Sequence, residues 1–223
     1  MKLMPALALA ATMVASGANA LTVAYSASVP STKTDWDETL SLSMFDGSLG
    51  TLNSMTLTLF GSVSGEIKAE RTSSSFSGSR NLSFSLGSEI YATVPGAAAL
   101  SVVINPLGTG VFNAAPYDGV TDYAGPSGTT LTDLTDTDED SASLTSGFGA
   151  FIGTGTFDVS LLSLGTYSFS GGGNVDTQVT NFAGATATVT YDYTPAAVPL
   201  PAGAPLLLAG LGGLVMLRRR KKS

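Results

Sequence analysis

Between Leu21 and Tyr193 the hydrophobic pattern repeats at every second residue. Leu21-Val23-Tyr25-Ala27, Leu40-Leu42-Met44, Met55-Leu57-Leu59, Leu82-Phe84-Leu86, Ile90-Ala92-Val94 and Phe157-Val159-Leu161 each alternate with small or polar residues. The longest run, Ala185-Ala187-Val189-Tyr191-Tyr193, interleaves with Thr186, Thr188, Thr190 and Asp192. A period of two sends alternate side chains to opposite faces of a strand, so these runs predict half-buried strands with Ser and Thr toward water. No stretch of this body shows the spacing of an amphipathic helix. Turn signals separate the runs at Asp46-Gly47, Ser64-Gly65, Ser77-Gly78, Asn105-Pro106, Asp118-Gly119 and Gly171-Gly172-Gly173-Asn174. Many short strands without helices between them predict an all-β fold, an antiparallel β-sandwich or jelly-roll-like body, as one domain over residues 21–193. Leu107 to Ser143, rich in Gly, Pro, Asp and Thr, breaks the pattern and is expected to form long loops over one end.

Both ends depart from the alternation. At the front, Lys2 supplies a positive start and Leu3 to Ala15 an apolar run. Ala18-Asn19-Ala20 is a small-x-small site of the kind signal peptidase cuts, leaving Leu21 as the new N-terminus. At the back, residues 194–204 contain Pro195, Pro199 and Pro201, which withhold the amide hydrogens a sheet or helix needs and predict an extended stalk. Pro205 to Leu217 carries no charge and predicts a short transmembrane helix with proline in its first turn. Thirteen residues rise only about 20 Å against a hydrocarbon slab of about 30 Å. The apolar stretch back to Val198 and snorkelling of the terminal cations make up the difference. Arg218, Arg219, Arg220, Lys221 and Lys222, within the 218–223 tail, stay cytoplasmic as a stop signal while residues 1–20 send the body outward.

Charge and missing residue types narrow the chemistry. Of ten cations six lie in the terminal segments, leaving four in the body against all seventeen acids, a net charge of −13. Such a body repels nucleic acid and anionic lipid, which are held by clustered Lys and Arg. Cys and His are both absent, which removes disulfides, thiolate zinc sites, Ser-His-Asp triads and Cys-His dyads, and no enzyme activity is expected. The densest acidic cluster is DLTDTDED, where Asp133, Asp136, Asp138 and Asp140 can converge on calcium if they lie in a loop. Ser141 and Gly147 stand where an EF-hand requires Gly and Glu, so the alternative is a solvated acidic loop without any cofactor. Asp35, Asp37 and Glu38 surround the single Trp36, an aromatic beside carboxylates of the kind that binds or cleaves sugar. Gly108-x-Gly110, Gly147-x-Gly149 and Gly153-x-Gly155 complete no nucleotide-binding fingerprint and read as turns.

Two resemblances add to this. The segment FDGSLGTLNSMTLTLFGSVSG, Phe45 to Gly65, resembles the characteristic stretch of the choice-of-anchor E domain. Gly149 to Gly155 and Thr190 to Tyr193 extend the likeness more loosely. It implies a bacterial exported domain with no assigned catalysis. Val198-Pro199-Leu200-Pro201-Ala202, followed by an apolar helix and an arginine-rich end, resembles the VPLPA-type variant of the PEP-CTERM sorting signal. That likeness implies an exosortase-like membrane transpeptidase as partner, a transient inner-membrane precursor, and delivery to the cell surface or an exopolysaccharide matrix. Leu200 stands where the commoner form of the motif has glutamate. N-terminal sequencing of the exported protein should therefore begin Leu-Thr-Val-Ala, and an intact Met1 on the mature form would refute cleavage.

Overall fold

The computed structural model describes residues 20–75 and 77–196. Nine strands run in chain order: β1 (Leu21–Lys33), β2 (Trp36–Ser43), β3 (Gly50–Arg71), β4 (Arg80–Thr93), β5 (Val102–Ile104), β6 (Leu107–Ala114), β7 (Gly128–Leu144), β8 (Thr156–Ser170) and β9 (Val175–Pro195). Three short 3-10 turns, Gly47–Leu49, Ala98–Leu100 and Phe148–Phe151, are the helical elements among the described residues. None is long and apolar enough to cross a membrane. Residues 1–19 and 197–223, and with them Ala18, the proline motif, the expected helix and the basic tail, lie outside the described residues.

The strands form two antiparallel sheets. Sheet A has the order β1-β9-β3-β7; sheet B has the order β2-β8-β4, with β5 and β6 sharing the far side of β4. The period-two runs supply the inward faces. Met55, Leu57, Leu59, Val63 and Ile67 of β3 and Ala183, Ala185, Ala187, Val189 and Tyr191 of β9 are buried, and sheet B answers with Leu82, Phe84, Leu86, Ile90, Val159 and Leu161. The result is a β-sandwich-like body whose buried residues form a larger cluster around Leu57, Ile90, Val159 and Tyr191 and a smaller one around Val63, Leu82 and Phe84. The last strand pairs Pro195 with Gly50, so the sheet runs two residues past the boundary expected at Tyr193.

Three sequence expectations are corrected. The stretch expected as loops is largely strand: β6 and β7 occupy most of 107–144, and only Ala115–Ser127 connects them without regular structure. Gly108 and Gly110, expected in a turn, lie within β6, where a side chain on Gly108 would come within 2.8 Å of the Leu134 backbone carbon. Close approach of β6 to β7 requires glycine there. Ser64-Gly65 is likewise inside β3, beside an irregularity where β7 carries one extra residue between Leu131 and Leu134.

Gly61 has the same role between the sheets. It faces inward on β3, and a Cβ there would sit 2.5 Å from Ile104 Cδ1 and 2.8 Å from Ile90 Cδ1. The two isoleucines of sheet B thus pack against bare backbone of sheet A. Gly61→Leu should lower stability by about 1–3 kcal/mol through overpacking, read as a shift of the urea midpoint; an unchanged midpoint would show that the sheets can separate at little cost.

Candidate functional site

The three stretches that carry the domain resemblance meet at one pole. Phe45 is fully buried just after β2. Its amide donates to Phe151 O at 2.8 Å and its carbonyl accepts from Gly153 N at 2.9 Å, forming a one-residue parallel bridge with the turn before β8. Its ring lies 5.7 Å from Tyr191 and 5.2 Å from Tyr193, centroid to centroid. Tyr191 donates its hydroxyl to Ser43 O at 2.9 Å. Asp46 then turns the chain, its carboxylate accepting from Ser48 N at 2.8 Å, which holds the Asp46 carboxyl below its ordinary value. Sequence spacing alone could not have joined Phe45 to Phe151 across a hundred residues.

The ends of the body leave at this same pole. Leu21 pairs with Tyr193, Gly50 pairs with Pro195, and Ala196 N donates to Leu49 O at 3.0 Å. The expected cleavage point, Ala20-Leu21, therefore abuts the first paired residue, with Ala20 exposed. At the same pole, reached through Phe151, an apolar hollow of about 570 Å³ opens between the β4–β5 and β7–β8 connections, lined by Val94, Pro95, Ala97, Leu144, Phe151 and Phe157.

The acidic cluster is a strand and not a loop. Asp136, Asp138 and Asp140 pair across from Val63, Gly61 and Leu59, whose side chains face the interior, so all three carboxylates project to the inner side of the rim strand β7. Asp138 Oδ2 accepts from Asn105 N at 2.8 Å and Asp136 Oδ2 from Leu107 N at 2.7 Å. These bonds fasten the rim of sheet A to the β5–β6 rim of sheet B. Asp140 turns to Ser141 N at 2.8 Å, and Asp133 sits apart in the irregularity of β7. Among the described residues no group of three or more acidic side chains is placed to hold a metal ion.

Trp36 is likewise part of the interior. It is 8% exposed, and its indole N–H donates to Ala183 O at 3.2 Å, so no ring face is offered to a sugar. Asp35 adopts a left-handed backbone (φ 67°) at the β1–β2 corner and accepts from Gly165 N at 2.8 Å. Asp37 and Glu38 are consecutive strand residues and point to opposite faces, which separates the expected carboxylate pair.

No family model and no curated protein matches the chain. Solved structures to which it is similar include Desmodium yellow mottle tymovirus, at 8% identity over 90% of this chain and 95% of the other, with a TM-score of 0.22. Infectious bursal disease virus, Gx strain, matches at 16% identity over 99% of this chain and 54% of the other, with a TM-score of 0.13. Likenesses of this degree carry no argument about fold or function.

Tyr191 gives this pole a signature in pH. Burial, with a smaller contribution from neighbouring Tyr25, pushes its phenol well above the ordinary value of 10.0. Above pH 10 the unfolded chain releases this proton while the folded chain keeps it, so the contribution is complete below pH 10 and is lost as pH rises further. Tyr191→Phe should cost about 1 kcal/mol at neutral pH for the lost bond to Ser43 and flatten the alkaline decline. Urea unfolding at neutral and alkaline pH checks this; an equally steep decline in the variant would place the titrating group elsewhere.

Proposed function

We propose that this chain is an exported, non-catalytic protein of a bacterial cell surface or extracellular matrix, delivered by a removable N-terminal signal and processed at its C-terminal tail. Signal peptidase cuts after Ala20. An exosortase-type transpeptidase reads Val198 to Ala202 while residues 205–217 hold the precursor in the inner membrane and residues 218–223 stop its transfer.

The observation that best supports this reading is that the described strands begin at Leu21 and end at Pro195, with both of these ends at one pole. The described residues of both core clusters lie between Val23 and Tyr193, inside the two expected cleavage points. The first two residues of the expected stalk pair within β9, and the proline motif begins at Val198, two residues after Ala196, within reach of a membrane enzyme. The body lacks Cys and His, and its strongest acidic cluster is engaged in joining two sheet rims. Both features favour a structural or binding role over catalysis.

Intact mass spectrometry of the mature protein from its own cell tests the proposal. The expected species begins at Leu21 and ends near the proline motif, with or without an attached group. Pro199→Ala combined with Pro201→Ala should accumulate as a membrane-bound, full-tailed precursor. A soluble, cytosolic, untrimmed polypeptide would overturn the reading.

A further inference from the structure

The outer face of sheet A is a lattice of hydroxyl groups. Cross-strand register sets Ser26, Thr188, Thr58 and Ser141 in one row across all four strands, and Ala24, Thr190, Thr56 and Ser143 in the next. Thr56 Oγ1 and Ser143 Oγ are hydrogen-bonded at 2.8 Å. The following row, Ser28, Thr186, Phe60 and Glu139, breaks the pattern with a phenyl ring that is 41% exposed.

Next to that ring the face is hollowed. Gly184 carries no side chain, and β1 bulges between Val29 and Thr32, lifting Pro30 and Ser31 beside it. A Cβ at residue 184 would lie 3.0 Å from Ser31 N, so glycine allows the bulge to fold in. The hollow, about 240 Å³, has Pro30 and Phe60 among its walls and the hydroxyls of Ser28, Ser62 and Thr186 around it. Through Ser31 and Ser62 it continues into a second hollow of about 420 Å³ edged by Ser64, Thr135 and Thr137. Together they make one groove running across the strands.

We infer that this groove binds a neutral polysaccharide chain, a deepening that rests on the surface-or-matrix reading above. Phe60 offers a ring to the apolar face of a sugar. The Ser and Thr hydroxyls both donate and accept, which suits a polymer that does the same. No Lys or Arg lines the groove, and the carboxylate of Asp136 at its edge is turned inward onto Leu107 N. An anionic polymer would find no counter-charge on a body of net −13. An extended peptide adds to a free sheet edge along the strand direction, whereas this groove crosses paired strands.

The test is affinity electrophoresis of residues 21–196, which contain both described core clusters and every described strand, through gels holding dextran, laminarin or hydroxyethyl cellulose. At least one neutral glucan should retard the protein, and alginate should not. Phe60→Ala should weaken retardation about five-fold, Ser62→Arg should abolish it, and Tyr91→Ala on sheet B should leave it intact. Phe60 and Ser62 lie on the outer face, and a circular-dichroism melt confirms that each variant is folded. No retardation by any of the three glucans, retardation by alginate alone, or equal retardation of Phe60→Ala would overturn the inference. A dimer on gel filtration that Phe60→Ala dissolves, with no glucan effect, would assign the groove to a second copy instead. A protein trimmed at both ends in the cell yet unretarded in these gels sinks the groove and leaves the delivery reading standing.

Discussion

The pairing of β3 with β9 is the constraint on which the rest of the structure depends. It runs from Gly50↔Pro195 to Arg71↔Val175, and joins segments more than a hundred residues apart over most of their length. Because strand side chains alternate, a slip of β9 by one residue against β3 would turn Val189 and Tyr191 out to water and Thr188 and Thr190 into the core. Burial of one face therefore holds the register firmly. The same register sets the hydroxyl rows outside and the aromatic hub at the pole. Leu21 and Pro195, the first and last strand residues described, lie where this spine stops.

The sandwich is closed differently along its two sides. On one side the Thr34-Asp35 corner carries the chain from sheet A to sheet B, with Thr34 N donating to Asn181 O. On the other side the longer 115–127 connection carries the chain from β6 to β7, and side chains join the rims along their length. Asp136 and Asp138 accept from backbone amides of the opposite rim, satisfying donors that an edge would otherwise leave open. Inward-pointing carboxylates on a rim strand also deter a second chain from pairing there.

The two outer faces differ in kind. Sheet A presents Ser and Thr with two exposed rings, Phe60 and Phe182, whereas sheet B presents Leu162 beside Tyr91 and Val103, with Leu164 nearby. At the far pole the β6–β7 connection closes over sheet A, where Tyr123 donates to Asp176 Oδ2 at 2.7 Å and receives a bond from Gln178. The bond to Asp176 raises the Tyr123 phenol above its ordinary value. The hydroxyl groove lies between this clasp and the exit pole, on a stretch of sheet that no other described residue covers.

Alternation in the sequence by itself determined the strand character of β1, β3, β4, β8 and β9, because burying one face of a sheet requires apolar residues at every second position. Composition determined which chemistries the body lacks the side chains to perform. Tertiary structure alone decided that β6 and β7 are strands: their inward positions hold Gly for close approach and Asp for rim-to-rim bonds, so the apolar alternation that would mark them is missing. It also decided that Trp36 is core and Phe60 is surface, since only the fold says which face of its strand each side chain takes. Period two assigns side chains to two faces; which face meets the opposite sheet depends on partners a hundred residues away.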